Sequence, residues 1–403
     1  MAGATLATVD AALKETWTED RLAQQLYDEN PFLARIKRLK NTKVGQQAVT
    51  PIHTSRNGGW TALPAGGGTL NTAGQQGMTQ ATWLYKNFHQ QVLVQGEAID
   101  GTSSDVLSVA EAVDLEVSGA VSDLNRQLTR MLQLNGDALT AQCGTTNNST
   151  TVTLSTTTGY DALVRGWIGV GSVIDIGTTS SEATIADAVT VTAVSEVAAT
   201  PTITISGSAV TTTSSHYVSM ANARAGTTSY EMNGLKNLIS TSDVGNVSVS
   251  SYPVWAPASV DTTSQALTLS LMLAKQRAVM QKTGKFPTYI LTSLKQQENF
   301  YRQLQSQVRF GSDGGSAGNV GSYNWNGSEI NAQPDTPDSY MYFLTIEDLR
   351  IMTAGDPYWT SKVTGGQTLF YVQGTDGYGG KITVRLNTGL ARRNSHAVFT
   401  ALT

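Results

Sequence analysis

The chain has 403 residues, long enough for two or three domains and a sizeable buried core. Only 14% of them are charged and the formal net charge is -4, which excludes the basic balance of a dedicated nucleic-acid binder. Near-balanced charge with Trp and Tyr spread throughout excludes a disordered chain, and a lone cysteine, Cys143, excludes an intramolecular disulfide and a thiolate metal site.

Met1 to Asp10 lack a basic region followed by an apolar run, so no signal peptide is expected. Nowhere is there an apolar run of the roughly 18 residues that a membrane span needs. A reducing cytosol is the expected place of synthesis and assembly.

Residues 1–45 read as an N-terminal arm. Thr18-Glu19-Asp20 can start a helix carrying Leu22, Leu26 and Tyr27, and Asn30-Pro31 breaks it. Then Phe32, Leu33 and Ile36 alternate with Arg35, Lys37, Arg38, Lys40 and Lys43, with no acid among them. Such a run is a solvated face, a pairing surface for a neighbour's acids, or a contact with DNA or an acidic assembly partner.

Residues 46–96 form a long two-stranded excursion. One leg starts at Gln47-Ala48-Val49-Thr50-Pro51-Ile52 and the other returns through Thr82 to Phe88 and Gln91 to Val94. Glycines 58, 59, 66, 67, 68, 74 and 77 crowd the far end. A hairpin has no core of its own and is marginal alone. Trp60, Leu63, Trp83 and Tyr85 therefore become candidates for contact with a second subunit, as do Phe32 and Ile36 of the arm.

Thr102-Ser103-Ser104-Asp105 then caps the clearest element. Val106, Ala110, Val113, Val117, Val121, Leu124, Leu128 and Met131 follow at spacings of three and four. They predict one helix to about Asn135-Gly136, a rod of roughly 45 Å packed on a sheet. It dominates the segment 97–143.

Residues 144–222 are rich in Thr and Ser and predict short strands at Thr151–Leu154, Val173–Ile176, Val189–Val194, Pro201–Ile205 and His216–Met220. Regular short strands with Gly or Ser turns indicate an inserted sandwich or barrel. After a continuation over 223–260, the stretch 261–385 is mixed α/β. Asp261 is a candidate helix cap ahead of Leu267, Leu271, Ala274 and Ala278. Pro287–Leu291 is a buried strand, a helix runs from Ser293 to about Val308, and Gly311–Gly321 is a glycine loop. Strands follow at Ile330, Met341–Ile346, Leu349–Met352, Leu369–Gln373 and Ile382–Leu386, and 386–403 carries the closing strand Ala397–Leu402.

No catalytic constellation holds. His53, His89, His216 and His396 lie far apart, and Gly169-Val170-Gly171 lacks the third glycine of a dinucleotide fingerprint. Gly380-Lys381 resembles a phosphate loop's end, but Thr375 stands at its first glycine and Ile382 at its hydroxyl residue. Neither a cofactor nor a metal is expected.

The order of these pieces carries a resemblance. An arm, a glycine-tipped hairpin, a helix ending in Asn135-Gly136-Asp137 and a mixed α/β domain resemble the Hong Kong 97-like capsid family. So do Trp325-Asn326-Gly327-Ser328-Glu329-Ile330, Pro334 to Pro337, Met341 to Thr345, and Gly389-Leu390-Ala391-Arg392-Arg393 to Phe399. The likeness covers nearly the whole chain apart from the β insertion and is one of layout. It implies an α+β subunit with N-arm, extended loop, peripheral domain on a spine helix, axial domain and an extra small β domain.

The same resemblance implies a major capsid protein of a tailed double-stranded DNA bacteriophage, a structural protein and no enzyme. Copies of itself would form the hexamers and pentamers of an icosahedral head, assembled in the host bacterial cytoplasm and ending in the virion. Expected partners are a separate scaffolding protein, a portal, a decoration protein and packaged DNA held by weak non-specific contact. On this likeness Arg35, Lys37, Arg38, Lys40 and Lys43 become candidate inner-surface residues. Some members join subunits through a Lys–Asn bond whose lysine sits on the extended loop. Here no lysine lies between Lys43 and Lys86, so no such crosslink is expected. The competing readings are an encapsulin-like bacterial shell and, in a different class, a Thr/Ser-rich tail or adhesin protein.

Overall fold

The computed structural model describes residues 31–40, 45, 47–95, 106–179, 181, 184–305, 323–359, 370–371 and 377–403. The expected helix from Thr18, the cap at Thr102–Asp105, Lys43 and the loop Gly311–Gly321 lie outside them. The chain divides into two compact units. One takes residues 1–45, 85–234 and 351–387; the other takes 46–84, 235–350 and 388–403.

The first unit is built on the predicted helix, observed as Val106–Gln133. Val117, Val121, Leu124, Leu128 and Met131 are all buried, so the three–four spacing marks the inward face. The helix packs on strand β4 (Lys86–Gln95). In the same sheet, β4 pairs antiparallel along β23 (Gly377–Leu390), from Gln95↔Gly377 to Lys86↔Leu386. Val92, Val94, Ile382 and Val384 are buried on one side of this pair. The arm strand β1 (Lys37–Lys40), β20 (Leu349–Thr353), β21 (Tyr358–Trp359) and β22 (Phe370–Tyr371) complete the sheet.

The sequence pattern reads Thr82 to Val94 as one returning leg. The leg is in fact split at Tyr85. Up to Leu84 it pairs within the hairpin, and from Lys86 it belongs to the sheet under the spine.

The β insertion is a closed barrel. Strands β5 (Ala141–Gln142), β7 (Thr151–Thr153), β8 (Val173–Gly177), β9 (Ala186–Ser195), β10 (Thr202–Ile205) and β12 (Tyr217–Met220) run in the order β5-β12-β8-β9-β10-β7. Chain continuing from β5 then meets β7. Cys143 bridges Leu154, Gly144 donates to the Thr153 carbonyl (2.8 Å) and Ser155 to that of Gln142 (2.9 Å). Closure removes the open edges that would otherwise invite stray pairing. Val152, Ile174, Ile176, Val191, Ile203, Ile205 and Val218 fill the interior. A two-stranded ribbon of β6 (Thr146–Ser149) and β11 (Val210–Thr212) accompanies it.

A buried ion pair ties the barrel to the end of the spine. Arg130, almost wholly buried near the helix end, pairs with both oxygens of buried Glu231, just beyond the barrel's exit. It also donates to Thr140 Oγ1 (2.8 Å), at the barrel's entrance, and to Gln127 Oε1 (2.7 Å).

The second unit holds the hairpin and a six-stranded sheet. The sheet order is β15 (Ser259–Asp261), β24 (Ala397–Phe399), β19 (Met341–Leu344), β16 (Tyr289–Thr292), β18 (Ser328–Ala332), β17 (Tyr323–Trp325). Strands β15 and β24 are parallel, as are β16 and β18; the other pairs are antiparallel. Asn326 (φ 48°) and Gly327 (φ 83°) make the two-residue turn from β17 to β18, for which Asn-Gly is the favoured dipeptide.

One expected cap is corrected here. The helix is Leu269–Thr283, and Thr268 caps it by accepting from the Leu271 N–H (3.3 Å). Asp261 instead ends β15 and pairs with Lys275 at 3.2 Å. Gly284, at φ 75°, stops the helix in the left-handed conformation glycine tolerates best. The next helix, Leu294–Gln305, brings Phe300 into the core beside Trp325.

His396 sits fully buried in this unit. The Thr345 N–H donates to its Nδ1 (3.3 Å), which leaves the ring proton on Nε2. Burial, only partly offset by Asp348, lowers its pKa from 6.5 to about 4. Above 6.5 the imidazole is neutral in both folded and unfolded chains and adds no pH dependence. Between 6.5 and about 4 the unfolded chain binds the proton and the folded one does not. Stability therefore falls as pH drops through this window, by about 3 kcal/mol in all. Urea midpoints measured across that range should fall less steeply for His396→Gln than for the parent chain; parallel curves would contradict the assignment.

Candidate assembly surfaces

The hairpin pairs β2 (Gln47–Ser55) with β3 (Gly77–Leu84), from Gln47↔Leu84 to Ser55↔Gly77. Alternate residues of a strand face opposite sides. Ala48, Thr50, Ile52, Ala81 and Trp83 are buried, while Val49, Met78 and Leu84 point outwards.

The base of the hairpin is anchored within its own unit. Trp83 is 1% exposed and packs on Trp255, ring centroids 6.5 Å apart. Its Nε1 donates to Thr50 Oγ1 at 3.0 Å, so the indole has no unsatisfied polar edge. The Thr82 N–H donates to the Gly245 carbonyl (2.9 Å) and Asn246 Nδ2 to Thr82 Oγ1 (2.7 Å). Gly245 is required at this joint. Its φ is +69°, and a Cβ there would sit 2.9 Å from that of Ala81.

The tip is tied together yet uncovered. Gly74 N–H donates to the Asn57 carbonyl (2.7 Å), Asn71 N–H to Thr61 Oγ1 (2.8 Å) and Asn71 Nδ2 to the Trp60 carbonyl (2.9 Å). These bonds join the outgoing and returning chain across the tip. Trp60 is nonetheless 82% exposed, Leu70 72% and Leu63 43%. An indole left in water forgoes most of the favourable transfer its area offers.

The six candidate contact residues therefore separate. Trp60 and Leu63 lie open at the tip. Trp83, Phe32 and Ile36 are buried in the chain that carries them, so their apolar surface is already spent in folding. Tyr85 is half-buried at the split between β3 and β4. Leu70 and Met78 were not singled out by the sequence pattern. Met78 had a usable signal, since it falls on the outward phase of β3; Leu70 lies in irregular chain and had none.

The basic residues of the arm flank and form β1. Arg35 ends the short helix Pro31–Arg35, and Lys37, Arg38 and Lys40 lie on the strand; all four are exposed. Lys40 pairs with Asp356, with both groups about half exposed, so screening by solvent keeps the pair weak.

No protein-family model matches the chain, and no curated protein matches it. Solved structures do. The capsid asymmetric unit of cyanophage A-1(L) superposes with a TM-score of 0.55 at 15% identity, covering 93% of each chain. The satellite phage P4 procapsid, with its size determination protein, gives 0.46 at 8%, covering 96% of this chain and 91% of that one. The holo-SrpI encapsulin complex from Synechococcus elongatus gives 0.45 at 10%, over 98% and 95%. The last two are too loose to carry an argument. The first, together with the spine helix, split hairpin and six-stranded mixed sheet, shows that this chain has the Hong Kong 97-like capsid fold.

Proposed function

We propose that this chain is the major capsid protein of a tailed bacteriophage, a structural subunit whose copies close into an icosahedral shell around double-stranded DNA. One observation carries the reading: a hairpin ordered by its own hydrogen bonds holds Trp60, Leu63 and Leu70 away from any cover. A monomer gains nothing from that arrangement, whereas a neighbouring subunit placed over the tip would bury all three. The fold shared with a phage capsid asymmetric unit supports the same conclusion.

In this reading hexamers and pentamers form by repetition of one contact set, the arm runs beneath an adjacent subunit, and a separate protein provides scaffolding. The hairpin offers no lysine between Lys43 and Lys86. Joining of subunits is therefore non-covalent at the tip, and mature particles should run as a single band on a denaturing gel. A ladder of covalent oligomers would refute this point and leave the shell reading intact.

The test is electron microscopy of the purified chain, alone and co-expressed with its genomic neighbours. Closed shells or capsomer rings are expected. Trp60→Ala should keep the parent's unfolding midpoint, since the side chain touches almost nothing, yet give at least tenfold fewer particles. Normal particle yield from that variant would remove the hairpin tip from the assembly contacts.

A further inference from the structure

The two long helices of the second unit turn one face inward and leave another uncovered. Met272 and Val279 of Leu269–Thr283 and Phe300 of Leu294–Gln305 enter one core, with Ile290, Ile330, Phe343 and Phe399 of the six-stranded sheet. Leu273, Arg277 and Met280 of the first helix stay exposed, as do Leu294, Glu298 and Tyr301 of the second. Positions i, i+4 and i+7 share one face of a helix over about 10 Å of its length. Each helix therefore presents the same three-part stripe: a large apolar side chain, a charge, and a second large apolar side chain. The charge is positive on one helix and negative on the other.

Neither charge is committed within the chain. Among the described residues Arg277 has no hydrogen-bond or ion-pair partner. Glu298 bonds to Arg302 one turn on, at 2.6 Å, but both groups are more than half exposed, so solvent keeps that pair weak.

We infer that the two stripes are halves of one contact, in which Leu273, Arg277 and Met280 of one copy of this chain seat against Leu294, Glu298 and Tyr301 of a second copy. Arg277 then pairs with Glu298 between flanking apolar contacts. The inference rests on the reading of the chain as a shell subunit and adds to it an interface away from the hairpin and the arm.

The match in spacing with reversal of charge is what selects a second copy. Scattered exposed apolar side chains are ordinary on a protein surface, but here they bracket one cation and one anion at identical helical positions. A foreign partner would have to carry a matching stripe, whereas every copy of this chain already carries both halves. A surface of that kind can be reused from copy to copy. The apolar ends lose water-exposed area on contact, and the opposite charges fix the register, since like charges brought together are repelled. Outward helix faces also suit a broad protein contact better than the enclosure of a small ligand, which needs a concave site.

The experiment reverses the charges in the full-length chain. Arg277→Glu and Glu298→Arg should each lower particle yield at least tenfold by electron microscopy. The urea midpoint of the free chain should stay close to the parent's in both, because both side chains are exposed. The double variant Arg277→Glu/Glu298→Arg places opposite charges in contact again and should return the yield to within about twofold of the parent. An equal mixture of the two single variants should recover as well, since each supplies the charge the other lacks. A folding fault would not be repaired by mixing. Sedimentation of the free chain over a range of concentrations follows the same contact without requiring closed shells. Normal yield from either single variant, or no recovery in the mixture, would overturn the inference and leave the shell reading intact. A parent that forms no particles, yet self-associates in a way each single variant abolishes and mixing restores, would sink the shell reading and uphold the contact. A parent that neither assembles nor self-associates would overturn both.

Discussion

Replacing Arg130 with methionine is expected to destabilise the chain by about 3–5 kcal/mol, the range for removing one partner of a buried ion pair. The size follows from what is left behind. Glu231 is 4% exposed and would keep a buried carboxylate with its guanidinium gone. Thr140 and Gln127 would each lose a charged donor as well. Because these partners sit at the barrel's entrance, its exit and the spine, the damage should appear as loosening of the whole insertion. Urea unfolding followed by tryptophan fluorescence would measure the loss, and faster proteolysis between the spine and Glu231 would locate it. The double variant Arg130→Met/Glu231→Leu should recover much of the deficit, since no uncompensated charge remains. A single variant within 1 kcal/mol of the parent would show that the pair is not what fastens the barrel.

Trp83→Ala should cost a similar amount, about 3–5 kcal/mol for emptying a large aromatic site. The indole fills the space between the two hairpin strands and Trp255, and its removal also leaves Thr50 Oγ1 buried without its donor. The informative comparison is with Trp60→Ala on the same hairpin. The Trp83 change should lower the unfolding midpoint of the free chain, and particles should fail because the subunit does. The Trp60 change should leave that midpoint where it is and reduce particles alone. If both variants unfolded at the parent midpoint, the anchoring of the hairpin base through Trp83 would be wrong.

The contrast between these tryptophans also marks how far sequence reasoning reaches. Both lie in a glycine-rich hairpin, and although Trp83 falls on a strand and Trp60 on the tip, strand phase alone does not say which face finds cover within the chain. What separates them is Trp255, 172 residues further on, whose indole closes over one and not the other. The spine helix was legible because Val117, Val121, Leu124, Leu128 and Met131 record its inward face in their spacing alone. The barrel strands were legible for the same reason at period two, although their circular order was not. Pairing partners are set by long-range geometry. The handover of β4 from the hairpin to β23 leaves no trace in a run that stays β-forming throughout. Asp261 failed as a cap for a related reason: Thr268 has an equally suitable side chain, and only the position of Lys275 shows which role Asp261 takes.

The place where the barrel joins the spine has one more implication. At the helix end the chain leaves at Leu134, makes the whole insertion, and returns at Gly234 to touch the point of departure. A Cβ on Gly234 would lie 1.8 Å from the Leu134 carbonyl oxygen, and one on Gly136 2.7 Å from that of Met232. An excursion whose two ends coincide adds no displacement to the chain that carries it, and closing so long a loop costs little more than closing a short one. The barrel between Thr140 and Glu231 can therefore be lengthened or exchanged without displacing the flanking chain, provided that Arg130 keeps both of these partners. Gly234 is the hinge pin of that exchange, because no other residue fits against the helix end. A tag or foreign antigen grafted between Thr140 and Glu231, with both residues kept, would inherit the same tolerance.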